Sequence, residues 1–250
     1  MLIQRHHPHT NRRFVPSMRP DRRPATSCQA CPVRERAVCA ALSDDELAAL
    51  AAAQTHQSFG RGQAVCYEGD DADAVYNVAA GTLRFSKLLA DGRRQVTGFL
   101  TAGDFLGLMD DEVYACTAEA VDEVKLCRIE RRAFERLTER FPLLERRLRR
   151  RAMQALAETQ AHMLLLGQRS PREKLAHFLL RLQERLDGDD GPGETLQLPM
   201  KRADIADFLG LTIETVSRTF TSMRQDGLIG LPEPQLVVFE DWDGLEDLAA

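Results

Sequence analysis

The sequence predicts an α+β protein in which an antiparallel β domain, a long helix and a compact C-terminal domain follow one another. Short apolar runs with regularly spaced glycines fill residues 57–128, and a strongly helical pattern follows over residues 131–167. Shorter helices and strands then alternate towards the end of the chain. These changes of pattern define an N-terminal arm, a cysteine segment with the β domain, a long helix and a C-terminal domain, at residues 1–27, 28–140, 141–168 and 169–250.

Length and charge limit the classes to which the protein can belong. Its 250 residues, 44% of them hydrophobic, suffice for one large or two ordinary domains. The net charge of −5 argues against a nonspecific nucleic-acid coat, although ten arginines against four glutamates between Arg128 and Arg151 leave the charge uneven. There is no apolar run of membrane-spanning length and no signal-peptide core at the start. We therefore expect a cytoplasmic protein with reduced thiols and no membrane partner.

The first 27 residues predict a flexible arm, because they are rich in Arg, His and Pro and show no periodicity. His6, His7 and His9 could bind a metal ion. No neighbouring residue would fix their geometry, however, so a solvated tail is favoured.

Three cysteines follow the arm with the spacing C-x2-C-x7-C, at Cys28, Cys31 and Cys39. Two thiolates in a C-x2-C pair can face one metal centre from a turn, and the third can approach from the following segment. Zinc and an iron–sulfur cluster would each need a fourth ligand. The alternative is that these are three buried thiols with no ligand role. The other cysteines are Cys66, Cys116 and Cys127.

A glycine repeat marks the β domain. Gly69, Gly81, Gly92 and Gly103 recur every eleven or twelve residues among acidic or polar neighbours. Turn signals at this spacing predict an antiparallel barrel or roll, and Asp91 before Gly92 indicates a hairpin. The clearest strands are VCYEGD, AVYNVAAGTLRFSKLL, RRQVTGFL and EVKLCRI.

The long helix carries an apolar stripe at intervals of four, three, four and three residues, which is the seam of a coiled coil. Its members are Ala152, Leu156, Thr159, Met163 and Leu166. Such a stripe must be buried, either against a second copy of the helix or against the protein's own β domain, and we expect a homodimer. Because Ala152 and Thr159 bury little apolar area, this dimer is expected to be marginal and switchable.

The C-terminal domain contains two short helices joined by a tight turn. Ile205, Ala206 and Leu209 form the apolar side of the first helix, and Gly210 follows where a helix end favours positive φ. Thr212 can cap the second helix through its hydroxyl. Two strands, QDGLIG and QLVVFE, and an acidic helical tail then complete a winged helix-turn-helix.

The second short helix has two different faces. Ile213, Val216 and Phe220 form an apolar stripe, and the opposite face carries Glu214, Ser217 and Arg218. Arg can bond guanine in a bidentate manner, Glu accepts from the cytosine amino group, and Ser bonds either kind of edge, so this face is suited to the major groove. The alternative is an ordinary helical hairpin with a polar outer face.

The segment ADIADFLGLTIETVSR resembles the DNA-binding motif of the CRP/FNR family of bacterial regulators, and E-x-x-S-R resembles that of its oxygen-responsive FNR branch. Ile213 stands where the cAMP-receptor branch has an Arg. The resemblance extends from about Cys28 to the end of the chain. It implies that double-stranded DNA is contacted by Thr212, Glu214, Thr215, Ser217 and Arg218.

The same resemblance implies an N-terminal cyclic-nucleotide-binding-like β-roll, a dimerisation helix and one 4Fe–4S cluster per subunit. Cys28, Cys31 and Cys39 would hold the cluster with Cys127, whose VKLCRI context matches the family's distant ligand better than Cys116 does. The second cysteine gap has seven residues, where the best-known members have five. The departure leaves cluster stability open.

Departures from the family pattern argue against a cyclic nucleotide. Leu108 stands at the position of a ribose-binding Glu, and Tyr114-Ala115 replaces an Arg-Ser pair. Without the Arg, a cyclic phosphate lacks its bidentate partner. The roll loop from Leu89 to Arg94 is a candidate RNA polymerase contact by the same resemblance.

The resemblance implies a homodimeric transcription regulator that reads a two-fold symmetric DNA site. An oxygen-labile cluster would control its DNA affinity and thereby anaerobic or microaerobic gene expression. The alternative is a zinc- or thiol-redox-controlled regulator of the same fold. We do not expect an enzyme, since no Ser/His/Asp constellation, phosphate loop or paired-acid motif has a credible context.

Overall fold

The structure of the protein is a computed structural model that describes residues 26–107, 112–187 and 193–249. Two of the predictions lie outside the described residues. They concern the N-terminal arm with its histidines and the position of Leu108.

The β domain is a roll of two four-stranded antiparallel sheets. In the part of the chain that is described, its strands are β1 (Gln54–Phe59), β2 (Ala64–Cys66), β3 (Ala74–Ala80), β4 (Leu83–Leu88), β5 (Arg94–Leu100), β6 (Phe105–Leu106), β7 (Thr117–Ala120) and β8 (Val124–Glu130). The sheets have the orders β1-β8-β3-β6 and β2-β7-β4-β5. The predicted runs form β2, β3, β4, β5 and β8. Sequence analysis missed β1, which is largely polar, and β6 and β7, which are too short to show alternation.

Glycines with positive φ form turns of the roll, as their spacing predicts. The φ angle is 84° at Gly69, 82° at Gly81, 83° at Gly92 and 98° at Gly103. A Cβ at Gly81 would lie 2.3 Å from the carbonyl oxygen of Glu123, so this turn requires glycine for space as well as for conformation. Gly92 lies in the predicted hairpin between β4 and β5.

The cysteine segment packs against the outer side of the sheet that contains β8. It comprises α1 (Thr26–Gln29), a 3-10 turn (Val38–Ala41) and α2 (Asp44–Ala53). The segment, the sheet and the next two helices share one apolar cluster, formed by Val38, Leu42, Leu47, Leu50, Val75, Phe105, Ile129, Phe134, Leu137, Phe141 and Leu144. This cluster holds the cysteine segment beside β8.

Two helices follow the roll, α3 (Arg131–Arg140) and α4 (Pro142–Gln168). The predicted stripe of α4 is largely uncovered in the single chain. Leu156 is 52% exposed and Met163 is 67% exposed. Thr159 is also exposed, whereas Ala152 and Leu166 are half-buried.

A different face of α4 makes the contacts within the chain. Leu165 is 3% exposed and belongs to the core of the C-terminal domain. The stripe is therefore not packed on the protein's own β-roll, which was the alternative to a dimer, and it remains available to a second copy.

The C-terminal domain is a winged helix-turn-helix, as predicted. It consists of α5 (Pro171–Asp187), β9 (Thr195–Gln197), α6 (Arg202–Leu209), α7 (Ile213–Gln225), β10 (Ile229–Glu233), β11 (Leu236–Phe239) and α8 (Trp242–Ala249). The strands form an antiparallel sheet in the order β10-β11-β9, and the acidic tail forms α8, which packs on α5.

The C-terminal core continues onto the roll. Val96 and Phe99 of β5 belong to the same buried cluster as Phe178 of α5 and Leu209 of α6. The helix-turn-helix is therefore packed against the β4–β5 hairpin of its own chain.

Candidate DNA-binding surface and cysteine site

The turn between α6 and α7 has the geometry that the sequence predicts. Gly210 ends α6 in the left-handed region, with φ 63° and ψ 37°. Thr212 then caps α7, because its hydroxyl accepts a hydrogen bond from the N–H of Thr215 at 3.1 Å. These two residues set the direction in which α7 leaves the turn.

One face of α7 is exposed and polar. Thr212, Glu214, Ser217 and Arg218 are exposed, and Thr215 is half-buried with its hydroxyl 3.0 Å from that of Thr212. We call these five residues the recognition face. Hydrogen bonds from its own backbone N–H and from Thr212 lower the pKa of Glu214, so its carboxylate is charged and can accept hydrogen bonds at neutral pH.

The buried face of α7 differs from the prediction at one position. Val216, Phe220 and Met223 are fully buried, but Ile213 is 49% exposed. The prediction that Ile213 belongs to the apolar stripe is therefore wrong. Ile213 is the first residue of the helix, where no preceding turn brings it against the core.

Two arginines that the sequence analysis did not single out contact α7, one on its buried side and one near its C-terminal end. The guanidinium carbon of Arg202 lies 3.1 Å from the centre of the Phe220 ring, and burial lowers the pKa of Arg202 to about 10. Arg172 of α5 forms an ion pair with Asp226 and bonds the Ser222 hydroxyl at 3.1 Å. No sequence pattern marks Arg202 or Arg172, because the residues that each of them contacts lie far along the chain.

The four cysteines predicted as ligands lie in one region of the molecule. Cys28 lies in α1, Cys31 follows it, Cys39 lies in the 3-10 turn and Cys127 lies in β8. Burial, with smaller contributions from Cys31, Cys28 and Cys39, raises the pKa of Cys127 to about 12. Burial likewise raises the pKa of Cys39 to about 11, with contributions from Cys31 and Cys28. The thiols are thus close enough to interact electrostatically across about ninety residues of sequence.

The alternation predicted for β8 explains why Cys127 lies on the side of the strand that faces the cysteine segment. Val124 and Leu126 face the interior of the roll, whereas Ile129 belongs to the cluster shared with the cysteine segment. Cys127 lies on the side of β8 that carries Ile129. Cys116, by contrast, lies near Cys66, whose thiol is 4.0 Å from the Cys116 carbonyl oxygen in the second sheet.

The four thiols form a donor set of the kind that holds zinc or an iron–sulfur cluster. Among the described residues, no three His, Cys, Asp or Glu side chains converge closely enough to hold one metal ion. Gln54 donates a hydrogen bond of 2.7 Å to the sulfur of Cys28, an interaction that stabilises a thiolate.

Tyr114 occupies the roll interior at the position where the family pattern has its phosphate-binding Arg. Its ring is 7% exposed, and its hydroxyl donates to the carbonyl oxygen of Ala74 at 2.8 Å. Burial raises the pKa of Tyr114, so the hydroxyl stays neutral. A neutral, already bonded phenol offers no charge to an anion.

Comparison with known proteins agrees with this architecture. Residues 56–141 match the family described as the cyclic nucleotide-binding domain, and residues 173–248 match the Crp-like helix-turn-helix domain. A nitrogen fixation regulation protein, FixK of Bradyrhizobium diazoefficiens, is 43% identical over 82% of this chain and 86% of its own. The transcriptional activator FnrL of Cereibacter sphaeroides is 36% identical over 86% of this chain and 88% of its own.

A solved structure shows the same fold. FixK2 from Bradyrhizobium japonicum has a TM-score of 0.73 and 32% identity, covering 79% of this chain and 98% of that one. A β-roll followed by a long helix and a winged helix-turn-helix, with these relatives, defines a DNA-binding transcription regulator. The chain belongs to the CRP/FNR family.

The relatives bear on one negative prediction and the structure bears on another. They are named as transcription regulators, which confirms that the chain is not an enzyme. In the described ranges, every helix is too short or too polar to cross a membrane.

Proposed function

We propose that the protein is a homodimeric transcription regulator whose DNA affinity is controlled by an oxygen-labile 4Fe–4S cluster, one per subunit. Cys28, Cys31, Cys39 and Cys127 would hold the cluster. The observation that carries the proposal is that Gln54 of β1 donates a hydrogen bond of 2.7 Å to the sulfur of Cys28, while β1 pairs with β8 so that His56 lies opposite Cys127. Control by oxygen, and hence of anaerobic or microaerobic gene expression, rests on the resemblance of these residues to the FNR branch.

When bound, the cluster would supply an oxygen-sensitive link between the cysteine segment and β8. The segment in turn contacts the long helix. Arg147 of α4 bonds the carbonyl oxygens of Ala37 and Glu35, and Arg151 bonds that of Arg36. A displacement of the segment would therefore be transmitted to the helix that carries the exposed stripe.

The exposed stripe supports dimerisation through α4. Burying Leu156 and Met163 against a second copy would remove two large apolar side chains per protomer from water. Two recognition faces would then lie about 34 Å apart and read a two-fold symmetric site in double-stranded DNA. Dimerisation makes the second contact effectively intramolecular, so control of the dimer is control of DNA affinity.

The same proposal includes one further partner, RNA polymerase, and excludes a cyclic nucleotide. Tyr114 argues against binding of a cyclic nucleotide, because a neutral phenol ring stands at the position of the family's phosphate-binding Arg. The hairpin tip supports a contact with RNA polymerase, since Leu89 and Arg93 are exposed there. Arg94, which belonged to the predicted contact, is instead half-buried against α6.

The test is an anaerobic purification followed by visible absorption and an assay of iron and sulfide. Wild type and Cys116→Ser are expected to be brown, and Cys127→Ser to be colourless. Colour that persists in Cys127→Ser and disappears in Cys116→Ser would show that Cys116, and not Cys127, is the fourth ligand. Colourless wild type containing zinc would favour the zinc-controlled regulator, and colourless wild type without metal would favour thiol-redox control.

A second measurement tests the control of DNA affinity. Binding of the anaerobic protein to a palindrome selected from a random duplex pool is measured before and after exposure to air. Affinity is expected to fall as the visible absorption is lost. Full affinity in protein without iron would contradict the proposal and would leave only the DNA-binding role.

A further inference from the structure

An ion-pair network joins the β-roll to the helix-turn-helix. Arg84 in β4 lies 2.5 Å from a carboxylate oxygen of Asp204 in α6, and Arg94 in β5 lies 2.9 Å from the same oxygen. Arg94 also lies 2.7 Å from the carboxylate of Asp207. Gln95 donates a hydrogen bond to the carbonyl oxygen of Asp207. Two neighbouring strands of the roll thus hold the first helix of the DNA-binding motif.

An aromatic contact lies beside this network. The ring of Phe208 in α6 stacks on His162 of α4, with ring centres 4.1 Å apart and planes inclined by 13°. It also meets Phe99 of the roll edge-on at 5.4 Å. One side chain of α6 therefore contacts both the roll and the long helix, which restricts rotation of the helix-turn-helix as well as translation.

The charges in this network favour one docking geometry. The Asp204 side chain is only 4% exposed, and a carboxylate buried to this degree is costly unless it is paired. Arg84 is itself held in place, since it lies 2.6 Å from Glu119 of β7. Sliding α6 along the roll would leave Asp204 without its partners, whereas a purely apolar contact would tolerate the shift.

We propose that Arg84 and Arg94 are positioning residues for DNA recognition. They hold α6, and with it α7, in one orientation relative to the roll, while the recognition face remains exposed. In a dimer, this orientation sets the separation of the two recognition faces and hence the spacing of half-sites. This inference rests on the proposed homodimer, so its experiments use protein prepared without air.

Loss of the network has a specific consequence. Each α7 would still read its half-site, because no recognition-face residue belongs to the network. The two domains of a dimer would, however, no longer be held at one separation, so sites of several spacings would bind comparably. A correctly spaced full site binds more tightly than a half-site because the two recognition faces are already held at the matching separation. Without the network, this gain in affinity would be reduced.

The experiment compares DNA selected from a random duplex pool by full-length wild type, Arg94→Ala and Lys87→Ala. Arg94→Ala leaves Asp204 paired with Arg84, so the fold is retained, and circular dichroism checks this. Lys87 is the matched control, because it lies in β4 but pairs with Glu68 on the surface of the roll at 3.2 Å. Wild type and Lys87→Ala are expected to enrich inverted repeats of one spacing.

Arg94→Ala is expected to enrich the same half-site with several spacings. It should bind the wild-type full site about tenfold more weakly and an isolated half-site unchanged. Arg94→Lys, which keeps a cation beside Asp204 and Asp207, should restore the single spacing. Enrichment of one spacing by Arg94→Ala, or an equal loss on half-sites and full sites, would overturn the positioning role. Wild type that sediments as a monomer would refute the homodimer and the spacing mechanism together.

Discussion

Arg147 in α4 donates a hydrogen bond of 3.2 Å from Nε to the carbonyl oxygen of Ala37, in the segment that carries Cys39. The Cys39 thiolate is close enough to raise the pKa of Arg147, although burial and the neighbouring arginines lower it overall. The long helix is therefore in direct contact with the cysteine segment. This contact gives the segment that is proposed to hold the cluster a short physical connection to the helix that is proposed to dimerise.

We predict that Arg147→Ala loosens the cysteine segment. It removes two hydrogen bonds to carbonyl oxygens of the segment, at 3.2 and 2.8 Å. The expected loss of unfolding free energy is about 1–2 kcal/mol, with faster amide exchange in the segment. Denaturant titration and hydrogen exchange measure both effects. Arg149→Ala is the control, because Arg149 pairs with Glu145 on the exposed side of α4, and this variant should lose less than about 0.5 kcal/mol.

We predict that Arg218→Ala weakens specific DNA binding by about 1–3 kcal/mol, since one bidentate base contact is lost. Arg218 is exposed on the recognition face and is not needed for packing. Binding to the selected site is measured by fluorescence anisotropy, with Arg181→Ala as control, because Arg181 pairs with Glu184 on α5. An unchanged affinity for the selected site would exclude a base-reading role for Arg218.

We predict that Leu156→Glu weakens dimerisation at least about tenfold, because a charge replaces an apolar side chain that the second copy would bury. Leu156 is 52% exposed in the single chain. Sedimentation equilibrium measures the effect. Leu143→Glu is the control, since Leu143 is 58% exposed but lies outside the stripe. A tight wild-type dimer irrespective of cluster state would contradict the marginal, switchable dimer.

We predict that the protein loses stability as the pH falls below about 6.5. Burial lowers the pKa of His162 from its ordinary value of 6.5, and His177 is shifted in the same direction. Below that value the unfolded chain binds protons before the folded chain does, so stability falls with pH. The fall stops once the pH is below the folded pKa, where the full loss of stability remains. Above about pH 6.5, the two imidazoles are neutral in both the folded and the unfolded chain, so they do not lower the stability.

Thermal unfolding of wild type and His162→Gln between pH 7.5 and 5.5 measures this effect. The variant is expected to lose less stability over the interval, because one of the two half-buried imidazoles is gone. Equal slopes for both proteins would show that the stack of His162 on Phe208 does not contribute to the pH dependence.

Local features of the sequence predicted much of the fold and part of the site. Positive φ at Gly81 and Gly210 and the cap at Thr212 follow from neighbouring residues alone. The same is true of the polar face of α7, because helical spacing separates its faces. Ile213 was misplaced, since periodicity does not show where a helix begins relative to the core. The short strands β6 and β7 were missed because their pairing partners, not their own residues, make them strands.

The sequence by itself determined the order of the domains, the turns of the roll and the polar residues of the recognition face, since each depends on the conformational preferences of nearby residues. Only the tertiary structure brought Cys127 beside the N-terminal cysteines and placed Arg84 and Arg94 against Asp204. These contacts join residues far apart in the chain. Which surfaces meet depends on how separate elements pack, and local periodicity carries no information about that choice.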